Sequence, residues 1–256
     1  MTNPKPEYKS RGILTNQEID LMLDEANKLP TVFFQLRAKA LICLVKKFGK
    51  RRSEIARLTI DDLKPTETDL EITFTLSKKH KRGLYQYLKS IEKEIKKGKT
   101  DRQYILNLPF PEIKNLHKEW QQTELGHNYK DSKSLHSISL SDKYAMPILE
   151  YLKFLKKNYP SCRFFFPSGL TVFGTTYLIY RDKHLSGSQL LRIIKPLKHD
   201  AWLHLFRETK GAEIAKVNGR TLTAVYEVKE GLDLENEETA YRYVRRYATK
   251  KEAVER

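Results

Sequence analysis

Phe48-Gly-Lys-Arg-Arg-Ser-Glu-Ile-Ala-Arg-Leu-Thr-Ile-Asp-Asp-Leu63 is the stretch from which the rest of the chain can be read. The residues before it, Phe33 to Phe48, predict a helix with Leu36, Ala40, Cys43 and Leu44 on its inner face. Gly49 closes that helix, because glycine takes the left-handed conformation of a helix stop without a Cβ penalty. Three consecutive cations follow, Lys50, Arg51 and Arg52. A short helix containing Glu54, Ile55 and Leu58 then leads to a turn at Pro65. An isolated pair of arginines at a helix start is ordinarily a solvated end. The seven-residue pattern formed by Gly49, Arg51, Ser53, Glu54, Ile55, Leu58 and Asp62 is more specific than that.

Toward the N-terminus, the polar segment up to Arg11 holds two prolines, and residues 1–13 read as an extended arm. Thr15 and Glu18 have the spacing of a capping box, and Ile19, Met22, Leu23 and Ala26 give the helix that follows one apolar stripe. Toward the C-terminus, Leu70, Ile72, Phe74 and Leu76 alternate with polar residues, which predicts a half-buried strand. The basic run Lys78, Lys79, His80, Lys81, Arg82 follows. Two charged amphipathic stretches come next, about Leu84 to Lys97 and Glu112 to Thr123, and then a second strand near Leu135 to Leu140. Beyond these, a helix starting near Pro147 carries Ile148, Leu149, Leu152 and Leu155, and Arg163 to Phe166 form a buried extended segment. Ser186 to Leu197 and Ala201 to Val217 read as helices, the second stopped by Asn218-Gly219. Thr221 caps another, and a basic helix spans roughly Glu237 to Thr249. The expected architecture is mainly α with a small antiparallel β-sheet.

The 256 residues hold 48 Lys and Arg against 32 Asp and Glu, a formal charge of +16, which points to a polyanionic partner. With 39% hydrophobic and 11% aromatic residues the chain is expected to fold. Cys43 and Cys162 lie in apolar surroundings and read as buried free thiols, with neither a disulfide framework nor zinc-ligand spacing. The N-terminus lacks the apolar core of a signal peptide, and no run approaches the roughly 20 apolar residues of a membrane span. The expectation is a cytoplasmic, nucleoid-associated protein without a membrane partner.

The opening stretch resembles the first active-site box of the tyrosine recombinase, or phage-type integrase, family: Gly-x-Arg-x-Ser-Glu-(Leu/Ile), then Leu and an acidic residue. Arg51 falls on the family's first catalytic arginine. His204-Leu-Phe-Arg207-Glu-Thr209 resembles the second box, His-x-x-Arg, which usually continues His-Thr. A helix, the Asn218-Gly219 stop, another helix and a tyrosine in an aromatic-basic segment follow in the family's order. Leu14-Thr-x-x-Glu-Ile19 is also how many of these domains begin, so the resemblance runs over residues 14–256. It implies the DNA breaking-rejoining fold. Between the two hairpin strands, where the family has a tight turn, residues 83–133 depart from it and read as a helical insertion with Trp120 as its anchor. The segment before Leu14 is too short for the separate N-terminal DNA-clamping domain common in the family. A fragment, a split gene product and a minimal enzyme all stay open.

The resemblance implies a site-specific recombinase that cleaves and rejoins duplex DNA through a 3′-phosphotyrosine. Two arginines hold the phosphoryl oxygens and stabilise the charge that develops on them. A histidine carries a proton, and a lysine protonates the departing 5′ oxygen. A phenol attacks phosphorus. This chemistry needs neither metal nor cofactor. The catalytic candidates are Arg51, Lys78 (with Lys79 as fallback), His204, Arg207 and Tyr243. Tyr241 and Tyr247 lie on the same helix as Tyr243; Arg242-Tyr243 fits the family ending best. Lys50, Arg52, Lys79, Lys81 and Arg82 are candidate DNA contacts. The family's second histidine or tryptophan is missing from Val225-Tyr-Glu-Val-Lys-Glu-Gly231, where Lys229 or Glu230 are the possible substitutes. The implied assembly is a homo-tetramer on DNA, with Tyr247 to Arg256 docking on a neighbour. The alternatives are a recombinase-derived DNA-binding protein without catalysis, which the missing histidine and Glu208 favour, and an unrelated basic RNA-binding protein.

Overall fold

A computed structural model describes residues 12–76, 133–172, 176–234 and 236–248, with isolated helical positions at 115, 118, 119 and 122. The arm up to Arg11, the basic run from Lys78 to Arg82 and Trp120 lie outside the described residues. So does nearly all of 83–133. Helix α1 spans Asn16–Ala26 and starts on the expected capping box: Thr15 N–H donates to Glu18 Oε2 at 2.8 Å, and Glu18 N–H to Thr15 Oγ1 at 3.1 Å. Helix α2, Val32–Phe48, is capped by Thr31 and stopped by Gly49 at φ 56°. From Ala40 to Val45 every residue of α2 is buried, so it is the central helix, touching α1, α4 and α6. Each fully buried Leu or Ile there contributes about 1.5–3 kcal/mol of apolar burial.

Helix α3 is short, Arg52–Ala56, followed by a 3₁₀ turn at Ile60–Asp62 and strands β1, Leu63–Pro65, and β2, Asp69–Thr75. Along β2, Leu70, Ile72 and Phe74 are buried and their neighbours are not, as the alternation predicts. Strand β3, Lys133–Ser139, completes a sheet ordered β1-β2-β3. The chain divides into two units, Met1–Glu71 with Ser137–Arg256, and Ile72–His136. β2 leaves the first for the second, and β3 returns. Both arginine boxes and the C-terminal helices lie in the first unit.

Helix α4, Ala145–Asn158, places Tyr151 in the core against Phe165 and Phe166, with ring centroids 5.0 and 6.0 Å away. The segment 163–166 is extended as expected, bonded to the α3 region through Phe165 N–H to Leu58 O and Ile60 N–H to Arg163 O, both 2.9 Å. Strands β4, Pro167–Val172, and β5, Thr176–His184, form an antiparallel hairpin that sequence reading does not anticipate. A Cβ on Gly169 would lie 2.1 Å from Leu178 O, so only glycine permits this backbone approach. The hairpin is pinned to the start of α2 by Tyr177, stacked on Phe33 at 4.8 Å, with the Arg37 guanidinium about 5 Å from the Phe33, Phe34 and Tyr177 rings.

Four helices complete the chain: α5 (Gly187–Ile194), α6 (Leu203–Asn218), α7 (Leu222–Gly231) and α8 (Glu237–Tyr247). Ser186, Thr221 and Asn236 cap α5, α7 and α8 through their side chains. Ala215, Ala224, Val225, Val228, Leu232, Ala240 and Val244 form one buried cluster beneath α6, α7 and α8. The architecture is the expected one, mainly α with a small antiparallel sheet. No helix among the described residues is long and apolar enough to cross a membrane. Cys43 and Cys162 are buried and unpaired with each other, and burial pushes the Cys43 thiol up to about 12.

Candidate active site

The left-handed turn at Gly49 ends α2 abruptly and leaves Lys50 and Arg51 extended ahead of α3. Glu54, one helical turn on, then holds Arg51 twice. Arg51 N–H donates to Oε2 at 2.8 Å and the guanidinium donates to Oε1 at 2.7 Å. The Glu54 side chain is wholly buried and that of Arg51 is 22% exposed, so the carboxylate anchors a cation whose other face reaches solvent. This explains why the box places an acid three residues after its arginine.

Arg207 comes from the buried face of α6. It donates to Gly49 O at 2.8 Å and to Leu232 O at 2.5 Å, tying the first box to the loop between α7 and α8. Burial lowers its proton affinity, as does the nearby positive charge of Arg51, while Glu54, Tyr243 and Asp233 act the other way. His204, one turn before Arg207, is mostly exposed, with Nε2 3.7 Å from Glu208 Oε1.

These groups meet at a cavity of about 400 Å³ whose lining includes Lys50, Arg51, Arg52, Trp202, His204 and Arg207. Its wall carries Arg51 from the first box, His204 and Arg207 from the second, and Arg52 beside them, a set that suits a phosphate ester. Among the described residues, no group of three or more His, Cys, Asp or Glu side chains is placed to hold a metal ion.

Tyr243 approaches from α8. Its ring lies against α6 at Gly211, where a Cβ would come within 2.5 Å of the ring. Burial raises the phenol above its ordinary value, and Arg207 and, more weakly, Arg51 pull it back. Tyr243 thus shares the electrostatic surroundings of both arginines. Tyr241 faces the other way, 57% exposed, beside Arg220, Leu222 and Arg245. Tyr247 packs a turn further on, ring centroids 6.3 Å from Tyr243, with its hydroxyl buried and without a hydrogen-bond partner among the described residues.

Two placements differ from the sequence expectation. Lys50, expected to contact DNA, is 1% exposed, and its ammonium forms an ion pair with Asp233 because the chain turns inward at Gly49. Lys229 and Glu230 are not among the residues lining the cavity. Val225 and Val228 take the inner face of α7, which leaves Lys229 to pair with Glu237 at 2.9 Å and Glu230 exposed. Arg52 is exposed and lines the cavity. Lys78, Lys79, Lys81 and Arg82 lie outside the described residues. Sequence reasoning did not find Trp202 or Asp233; nothing in their local pattern signals a site.

The fold is that of a tyrosine recombinase catalytic domain. Among solved structures, the chain is similar to the XerH site-specific recombinase bound to difH substrate in a pre-cleavage complex. The TM-score is 0.52 at 12% identity over 90% of this chain and 49% of that one. The XerA recombinase gives 0.52 at 14% identity over 95% and 62%. XerH on palindromic difH in a post-cleavage complex gives 0.52 at 14% over 92% and 50%. The chain thus spans between 49% and 62% of the length of these proteins. No family model and no curated protein matches it by sequence.

Proposed function

We propose that the protein is a site-specific DNA recombinase that cleaves and rejoins duplex DNA through a 3′-phosphotyrosine on Tyr243. The observation that carries this reading is the meeting of Arg51 and Arg207 at one cationic cavity, with Tyr243, from a third segment, within the electrostatic reach of both. Attack forms a bond between the Tyr243 oxygen and phosphorus and breaks the bond from phosphorus to the 5′ oxygen. The phenol is protonated at neutral pH, and burial raises it further, so its proton passes to water or to the His204 imidazole as the new bond forms. The 5′ oxygen takes a proton, a role assigned to Lys78 by resemblance. Arg51 and Arg207 act on the phosphoryl oxygens, where charge develops in the transition state. His204 serves as a donor or proton carrier at the rim. Rejoining is the same step in reverse, so the bond energy is conserved without an external source.

Duplex DNA is the partner, and assembly as a homo-tetramer on two sites follows from the same reading. A second reading is a DNA-binding derivative without catalysis. It draws on Glu208, whose carboxylate lies beside His204 where it opposes an incoming phosphate.

The deciding experiment uses nicked suicide DNA carrying candidate sites, followed by denaturing electrophoresis. A covalent adduct is expected with the wild-type chain and is lost in Tyr243→Phe, with folding and DNA binding retained. DNA binding without any adduct would leave the second reading. An adduct that persists in Tyr243→Phe would move the nucleophile elsewhere.

A further inference from the structure

The loop between α7 and α8 docks on the arginine box through two consecutive residues. Leu232 is fully buried: a Cβ on Gly49 would come within 2.9 Å of one of its methyls, and a Cβ on Gly211 within 3.0 Å of the other. Its carbonyl accepts from Arg207. Asp233 follows at φ 47°, the sole non-glycine residue in the left-handed region among those described. Aspartate tolerates that conformation better than most residues, yet it still costs energy. The carboxylate it positions pairs with Lys50, whose side chain is fully buried, while that of Asp233 is 12% exposed. A lysine buried this deeply needs such a partner, because desolvation disfavours its charge; here burial lowers the ammonium's affinity for its proton and Asp233 opposes the shift. The docked pair comes three residues before Asn236, the N-cap of α8, and ten before Tyr243.

We propose that Lys50 and Asp233 are positioning residues: their ion pair fixes the start of α8 on the arginine box and thereby sets Tyr243 over Gly211 beside Arg207. The inference rests on Tyr243 as nucleophile, and neither residue of the pair is assigned a contact with DNA. Lys50 follows Gly49 directly, so the stop of α2, the arginine box and the tyrosine helix are joined at one point.

Asp233→Asn separates positioning from simple electrostatics by sign. Removing a carboxylate near two arginines should, on electrostatics alone, tighten DNA binding and leave cleavage unchanged or faster. Loss of positioning instead slows single-turnover cleavage at saturating DNA by about tenfold or more, with DNA affinity changing by less than about threefold. Amide exchange over residues 236–244 in the DNA-free protein should quicken by about tenfold, while α1 and α4 stay protected. Lys50→Met should do the same, and Lys50→Met/Asp233→Asn should be no slower than the slower single variant, as coupled residues require. Wild-type cleavage and exchange in Asp233→Asn would overturn the proposal, as would additive effects in the double variant. If Lys50→Met fails to fold, the milder Asp233→Asn decides alone. If the wild-type chain forms no adduct, the function proposed above fails, and the exchange measurement still tests whether the pair holds α8.

Discussion

Replacing Gly211 by alanine puts a methyl group directly under the Tyr243 ring. The added carbon would stand 2.5 and 2.6 Å from two ring atoms and 3.0 Å from a Leu232 methyl. Carbon atoms pack best at about 3.5–4.0 Å, so the ring must retreat by about 1 Å. Overpacking of this kind costs about 1–3 kcal/mol. Alanine within α6 returns about 1 kcal/mol through its helix propensity. The net loss of stability is therefore small, about 0–2 kcal/mol. The effect on reaction is larger, because a misplacement of about 1 Å at a reacting atom costs on the order of 100-fold. Single-turnover cleavage of suicide DNA measures the rate, and equilibrium denaturation measures stability. Gly211→Ala should keep most of its stability and lose cleavage by about 100-fold. Cleavage at the wild-type rate in a folded Gly211→Ala protein would show that the ring's position over Gly211 does not matter to the reaction.

Glu54→Gln leaves one acceptor oxygen where Arg51 uses two. A stability loss of about 1–3 kcal/mol is expected by denaturant titration, with slower cleavage. Tyr151, Tyr144, Tyr243 and Tyr247 all have phenols raised by burial. A phenol that ionises near its ordinary value of about 10 only when unfolded gives its full contribution below that pH and loses it as pH rises further. Stability measured by urea should therefore fall above about pH 10, and Tyr151→Phe should flatten the fall. DNA affinity should weaken steeply with salt, and Arg52→Ala should reduce the log-log slope by about one phosphate contact, or 0.9. A nearly salt-independent affinity would count against phosphate binding at the cationic cavity.

The helices were legible because their ends are written in local chemistry. Thr15 with Glu18, Gly49, the Asn218-Gly219 pair and Thr221 each act within a few residues of where they sit. The β4–β5 hairpin was not, and the reason is its exposure. Leu170, Leu178 and Tyr180 all face solvent, so the apolar-polar alternation that marks β2 is absent. Arg51 and Arg207 could be picked from their motifs, but their partners differ in kind. Glu54 is three residues from Arg51 and could be inferred; Leu232 and Gly49, which hold Arg207, are 25 and 158 positions away. Lys50 reads as a surface cation for the same reason, since it stands among arginines and its partner is 183 residues distant. Lys229 and Glu230 lie close in sequence to the position of the missing histidine, whereas the helical phase set by Val225 and Val228 turns them outward.

Helix α2 is fastened at both ends to different machinery. Phe33, near its start, is stacked on the β4–β5 hairpin, and Gly49, just past its end, supplies a carbonyl to Arg207. Its 17 residues make a strut about 25 Å long. Removing one residue anywhere between these points would shorten the strut by about 1.5 Å and rotate one end against the other by about 100°. The hairpin could then keep its stacking, or Arg207 its carbonyl, but not both. The length of this helix is therefore a constraint in its own right, separate from the side chains it carries.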